Sequence, residues 1–230
     1  MLRDRSDVTG AHQSSMAVRD ILLRQRFVAL WQRCLQPGAD SDPAAVWQEV
    51  AQRYAEPHRH YHDKSHLAHC LEQLDLAAGQ IDEPDQVELA IWFHDVINEP
   101  GVADNEQQSA ELFRQIADGL IDADTINGVV GLILVTTHQI QPEIPDHQFI
   151  CDIDLASFGC PWECFMNDSA AVKAEFPGPD EDYYRGKKAF LEALLRRPRI
   201  FISDFFNDRY EEQARDNIGK LLKLIEQRDA

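Results

Sequence analysis

Residues 125–138, TINGVVGLILVTTH, decide the fold class. Their β-branched content favours a strand locally. Against that, Ile126, Val130, Ile133, Leu134 and Thr137 fall on one helical stripe, and Asp122 or Asp124 stands where a helix N-cap belongs. Nothing else in the chain offers a strand partner. The stretch therefore reads as a buried helix, and the chain as all-α.

Working outward, the helical period holds almost everywhere. Residues 17–34 place Val18, Ile21, Leu22, Phe27, Leu30 and Trp31 at helical spacings, and Gln36-Pro37-Gly38 stops them. Ser41-Asp42-Pro43 is a start signal, with a capping side chain and a proline for the first turn of a helix to about Ala55. Asp63 caps the next helix, with Leu67, Cys70, Leu71, Leu74 and Leu76 as its apolar positions and Gly79 as its stop. Pro84 opens a helix whose apolar run is 87–96. Asp104 or Asn105 caps another that ends at Gly119. Pro142 and Pro145 predict an extended connection. Further helices are predicted at 152–158, 161–176, 180–196 and 207–227, with Pro198 separating the last two. Residues 1–16 read as a polar, poorly ordered lead-in without the apolar centre of a secretory signal. There is no repeat and no Gly/Ser linker, so 17–230 is read as one all-helical bundle domain. Within it, a core at about 55–160 carries the chemistry, and the C-terminal helices pack on that core.

The chain has 230 residues, with 40 Asp+Glu against 22 Lys+Arg, a net charge of −18. Long nucleic acids and anionic membrane surfaces are disfavoured partners for such a chain. A small anion bound at a local cationic patch is not. No run of about 18 apolar residues is present to cross a bilayer. The 44% hydrophobic fraction supports a sizeable core. The five cysteines, an odd number without a signal segment, point to reduced thiols and a cytoplasmic location. Cys160 and Cys164 stand one turn apart, yet no cysteine or cysteine-histidine pair at zinc-finger spacing accompanies them. They read as buried small hydrophobes.

Chemistry-bearing residues gather in five places. The first is Arg59-His60-Tyr61-His62-Asp63-Lys64-Ser65-His66-Leu67-Ala68-His69, where five of nine histidines (58, 60, 62, 66, 69) lie within twelve positions. His62 and His66 flank a helix start, where an imidazole is available to a metal or a phosphate. His58, His60 and His69 read as incidental. The second is His94-Asp95 at the end of an apolar helix. Burying both is costly unless something such as a divalent cation compensates them; a surface turn is the plain alternative. The third is Asp152-Ile153-Asp154, with Asp152 read as a cap and Asp154 in the first turn, facing inward. The fourth is His138, a core histidine or a ligand. The fifth is Asp104-Asn105-Glu106, an N-cap or a site partner.

The order His, His-Asp, Asp resembles the HD-domain superfamily of metal-dependent phosphohydrolases, a helical-bundle family. Residue by residue, the resemblance implies His66, His94, Asp95 and Asp154 as ligands of a divalent ion, with Asp152 the alternative to Asp154. Tyr61-His62-Asp63-x-x-His66 is also similar to the Tyr-His-Asn-x-x-His string of cyclic-nucleotide phosphodiesterases. That likeness implies His62 as the acid that protonates the leaving group, with Asp63 replacing the asparagine. Over nearly the whole chain, the likeness is to a bacterial branch of predicted HD phosphohydrolases. It rests on 57–62, Trp92-Phe93-His94-Asp95-Val96, Asp104-Asn105-Glu106-x-x-Ser109-Ala110 and Arg197-Pro198-Arg199-Ile200-Phe201.

The implied activity is hydrolysis of a phosphoester in a nucleotide or similar small phosphorylated metabolite. The cation acidifies water and neutralises phosphoryl charge, and Asp95 or Asp154 accepts a proton. Arg59 and Lys64 would clamp the phosphate, with Lys187 and Lys188 as more distant candidates, Lys64 also assisting catalysis, and Tyr184 placed to stack on a base. His138 would supply a second metal site, or Glu106 and His138 would orient the first. The ligand types fit Mn, Fe, Co, Ni, Zn or Mg. The competing readings are a regulatory nucleotide-binding module without turnover and a di-iron oxygenase of the same scaffold. A homo-oligomer remains open. An acidic surface with one electropositive cleft is the expected electrostatic signature.

Overall fold

The computed structural model describes residues 6–228, with side chains from residue 17. The described residues form ten α-helices: α1 (Ser6–Cys34), α2 (Pro43–Arg53), α3 (Lys64–Ala77), α4 (Pro84–Phe93), α5 (Asn105–Ala117), α6 (Ala123–Val135), α7 (Pro145–Leu155), α8 (Trp162–Glu175), α9 (Asp180–Arg196) and α10 (Asp204–Arg228). Short 3₁₀ turns follow α3 and α7, and no strand occurs among the described residues. α1 reaches back into the segment expected as a lead-in, of which residues 1–5 lie outside the described residues. No described helix is long and apolar enough to cross a membrane.

Capping chemistry sets the starts. The Asp42 carboxylate accepts from the Ala44 and Ala45 amides ahead of Pro43. Asp63 does the same for Ser65 and His66, and Asp122 for Thr125. These satisfy amides that no helical carbonyl reaches. α3 runs on into the 3₁₀ turn, and Gly79 does not take the left-handed conformation expected of a stop; Gly119 after α5 does, at φ +70°.

α4 is the axial helix. Every side chain from Val87 to Phe93 is buried, and the helix packs against α1, α3, α6 and α7. Trp92 meets Phe27 and Trp47 edge-to-face, with ring centroids 5.3 and 5.8 Å apart, while Phe93 meets Phe113 of α5 at 4.9 Å. Such offset aromatic pairs add to the stabilisation from buried area. The α4 burial places whatever follows Phe93 at the centre of the molecule.

The structure corrects four sequence expectations. α6 is a helix, but its inner stripe is Ile126, Val129, Leu132 and Ile133, with Leu134 turned outward. Among the described side chains of α1, the core begins at Leu23. Val18, Ile21 and Leu22 are exposed, as is Leu76 on α3. α7 starts at Pro145, seven residues before the expected start at 152, because proline fits the first turn as well as a connection. Asp152 therefore sits inside the helix rather than capping it, and Asp154 falls in its last turn. Cys160 is only partly buried, and Cys164 is exposed.

Phe27→Ala should cost about 3–5 kcal/mol in urea unfolding, as expected when a buried aromatic leaves a cavity. Leu22→Ala, on the exposed stretch of the same helix, should stay within about 0.5 kcal/mol of the parent. Equal losses at the two positions would contradict the assigned core face.

Candidate metal centre and adjoining cavity

Three helix ends converge on one point. His66 comes from the first turn of α3, His94-Asp95 from the turn that ends α4, and Asp154 from the last turn of α7. His66 Nε2 lies 3.4 Å from His94 Nε2, 3.5 Å from Asp95 Oδ2 and 3.3 Å from Asp154 Oδ1. His94 Nε2 lies 3.0 Å from Asp95 Oδ2 and 3.7 Å from Asp154 Oδ1. Ligands about 2.1 Å from one tetrahedral ion stand about 3.4 Å apart, and adjacent octahedral ligands roughly 3.0 Å apart. Three of the five separations fall in that range, and the other two exceed it by about 0.1 and 0.3 Å. His66, Cys70, His94 and Asp154 together are close enough to hold a metal ion.

The surroundings orient these groups. The His94 Nδ1–H donates to the Ile91 carbonyl at 2.8 Å, which leaves the Nε2 lone pair of the neutral ring aimed at the cluster. His138 Nε2–H donates to Asp154 Oδ2 at 2.7 Å. That is a hydrogen-bond length, shorter than the roughly 3 Å between neighbouring ligands of one octahedral ion. His138 thus orients Asp154. Its backbone takes φ +55°, a conformation in which His is among the commoner side chains, and Arg197 donates to its carbonyl at 2.6 Å. Cys70 Sγ lies 3.6 Å from His66 Nε2. Burial and the two acids push its thiol well above the ordinary value, so it remains a neutral neighbour.

Charge completes the case for a cation. Burial opposes ionisation of His94, Asp95 and Asp154. Even so, the imidazoles hold Asp154 well below the usual carboxylate range and lower Asp95, while Asp95 and Asp154 raise His94 well above the usual imidazole value. Two half-buried carboxylates this close together call for positive charge between them. Protons on imidazole provide it in the free protein, and a divalent ion can replace them.

A cavity of about 250 Å³ opens on the cluster. Tyr61, His62, Asp95, Glu106, His138, Asp154 and Asp168 line its polar side; Leu155, Phe158, Phe165, Val172 and Phe190 line the other, where Lys187 also enters. His62 is held by Glu175: Nδ1 lies 2.5 Å from Oε2, and Oε1 accepts from the amides of His60, Tyr61 and His62. Burial opposes the His62 imidazolium, but Asp95, Glu175 and Asp154 together raise it above the ordinary value. Glu175 is lowered to about 2: burial works against its charge, and His62 with the backbone amides outweighs it. The sequence reading missed Glu175 because 113 residues separate it from its partner.

Several expected roles are overturned. Arg59 is buried, and its guanidinium is consumed: it donates to the carbonyls of His62 (2.9 Å), Asp95 (2.7 Å) and Val96 (3.0 Å), and to Glu56 (3.0 Å). It ties the His62 loop to the His94-Asp95 turn and has no free face for phosphate. Lys64 points away from the cavity, paired with Asp20 at 2.9 Å. Lys188 pairs with Glu226. The Tyr184 ring is covered by Arg228 and Lys173. Asp152 is no ligand: its carboxylate accepts from the Ile202 and Ser203 amides and the Ser203 hydroxyl at 2.6–2.8 Å. Glu106 lines the cavity without a side-chain hydrogen bond among the described residues. Asn105 and Ser109 instead hold the loop after Asp95, by bonds to Glu99 and Ile97. His58 bonds the Asn98 carbonyl. With Arg59 and Lys64 engaged elsewhere, Lys187 is the only lysine or arginine lining the cavity among the described residues. The expected electropositive cleft therefore depends on a bound cation. Comparison with protein-family models, curated proteins and solved structures finds no match to this chain.

Two variants separate the acids of α7. Asp152→Ala should lose about 2–4 kcal/mol of stability by orphaning buried amides, and keep metal affinity in isothermal titration. Asp154→Ala should stay folded and lose more affinity than the roughly 10–100-fold that a supporting residue commands. The reverse pattern would exchange their roles.

The His62–Glu175 pair fixes a pH signature. Raised His62 contributes stability that is fully present below 6.5 and lost as pH rises through its folded value. Depressed Glu175 contributes stability present above 4.5 and lost as pH falls toward 2. In chelator-treated protein, the stability gap between parent and Glu175→Gln should be widest between those values and narrow on both sides. A pH-independent gap would mean the pair carries no charge.

Proposed function

We propose that the chain is a metal-dependent phosphohydrolase of the HD-domain type, cleaving a phosphoester in a nucleotide or similar small phosphorylated metabolite. The observation that carries this reading is the convergence of His66, His94, Asp95 and Asp154, from three helix ends, beside a half-open cavity that Asp95 and Asp154 line. Those residue types in that order are the ones on which the family resemblance rests. The donor set of imidazole and carboxylate fits Mn, Fe, Co, Ni, Zn or Mg.

The bound ion would supply the charge that polarises a phosphoryl oxygen and lowers the pKa of water. The chain's own residues do the rest. His62, with Nδ1 fixed on Glu175, presents Nε2 as its free ring nitrogen and carries the proton for the departing alkoxide. Asp95 and Asp154, held ionised, accept protons from attacking water. His138 keeps Asp154 in place. Lys187, its amine lowered to about 8 by burial, remains mostly protonated near neutrality and pairs with a phosphate oxygen. Phe158, Phe165 and Phe190 make an apolar wall suited to a base or another flat body. An oxygenase would need a second full ligand set, and His138 is already engaged with Asp154.

Metal-loaded protein incubated with a panel of nucleotides and sugar phosphates should release phosphate or nucleoside, and chelation should stop it. His94→Ala should remove metal binding and turnover together. Lys187→Ala should raise KM about tenfold with metal retained, the loss of one charge-assisted hydrogen bond. Metal occupancy without turnover of any phosphoester would favour the regulatory binding module.

A further inference from the structure

A second group of ligand-type side chains lies on the other side of Tyr61 and Ser157, whose hydroxyls meet at 2.8 Å. Cys160, at the end of the 3₁₀ turn after α7, joins Cys164 and Asp168, one turn apart on α8. One ligand atom from each lies within 4.8 Å of the others. Cys164 Sγ is 3.8 Å from Asp168 Oδ2. A sulfur and an oxygen bound to one tetrahedral zinc stand about 3.6 Å apart, so little movement is needed to close on an ion.

An independent observation comes from α3. His69 Nε2 is fully buried and has no hydrogen-bond partner, the one such side-chain atom among the described residues. Buried polar atoms in folded proteins are rarely left so. His69 lines the same recess of about 270 Å³ as Cys160, Cys164 and Asp168. Two thiols and a carboxylate lie within reach of one ion, and the unpartnered imidazole on the same recess supplies the fourth donor type of a tetrahedral thiophilic ion once its ring turns toward them.

We propose that Cys160, Cys164, Asp168 and His69 form a second cation site that takes a thiophilic divalent ion, Zn²⁺ or Cd²⁺. The site uses none of the four residues of the imidazole–carboxylate cluster, although His66 borders the same recess, and it does not depend on the phosphohydrolase reading. Binding releases the thiol protons, as thiolates are the ligands. Asp168 lines both recesses. An ion here therefore neutralises an acid on the wall of the cavity beside the imidazole–carboxylate cluster.

Metal-free, reduced protein titrated with Cd²⁺ should show a thiolate-to-metal charge-transfer band and two ions per chain. The double variant Cys160→Ser/Cys164→Ser should lose the band and one ion. Cys70→Ser and His94→Ala should keep the band. His69→Ala should weaken the thiolate site at least about tenfold, and an unchanged affinity there overturns the four-residue assignment. In the unmutated chain Cd²⁺ should slow alkylation of Cys164, read by mass spectrometry. A band that survives the double variant but disappears in Cys70→Ser, or alkylation unaffected by Cd²⁺, overturns the site.

Discussion

Charged side chains placed inside a helical bundle, each satisfying backbone that no helix satisfies, hold this structure together. Helix ends and connections leave amides and carbonyls without partners, and at the centre of the molecule water cannot supply them. Arg59 takes three carbonyls from two separate turns. Glu175 takes three consecutive amides at 60–62. Asp146 takes the amides of Asp82 and Glu83 ahead of α4, Asp152 those of Ile202 and Ser203, and Glu211 those of Ile200 and Phe201. A buried charge is costly alone and stabilising when fully hydrogen-bonded. Of these, Arg59 and Glu175 fix the loop that carries His62 and the turn that carries Asp95. The same geometry explains why Arg59 is not a phosphate clamp: exposing its guanidinium to a ligand would release the turn that carries Asp95.

The division between what the sequence reveals and what it hides follows from range. Asp42, Asp63 and Asp122 are legible as caps because a cap acts two or three residues away. The helical period of 125–138 is legible because one buried face must recur every turn. Even there the stripe was set one residue off at Leu134, since an apolar run that is nearly all hydrophobic barely distinguishes its faces. The His, His-Asp, Asp order was legible as a pattern of residue types, and the structure brings those four side chains together. The hidden parts are long-range. Asp152 bonds residues 50 positions on, and Glu175 holds a histidine 113 positions back. An acidic residue two positions from a candidate ligand looks the same in a sequence whether it binds an ion or a distant amide. His138 is intermediate: its residue type drew notice, but its left-handed backbone and its bond to Asp154 depend on Arg197, 59 residues away.

Net charge acquires a local meaning at the cavity. Asp95, Asp154, Glu106 and Asp168 face it, with Lys187 as its lone lysine or arginine among the described residues. Coulomb repulsion in a partly desolvated recess would reject a phosphate from such a wall unless a divalent ion sat among the acids. Under the proposed reading, metal loading and substrate affinity are thus one coupled quantity. The single lysine also sets a limit. It matches one phosphoryl group near the ion, with the apolar wall taking the remainder of the molecule, and offers nothing to a chain of several phosphates.

The two proposed cation sites differ in the softness of their donors, and that difference has a consequence for how they would share metals. Imidazole and carboxylate at the first site accept Mn, Fe or Mg as well as Zn; two thiols at the second favour Zn or Cd and reject the harder ions. Cys70, adjacent to the first cluster, does not blur the distinction while its thiol stays protonated. A chain carrying both sites would draw a scarce thiophilic ion first to Cys160 and Cys164 and leave the first cluster to a harder one. Asp168 stands on the wall between them, so filling the thiol site removes one negative charge from the cavity before any substrate arrives.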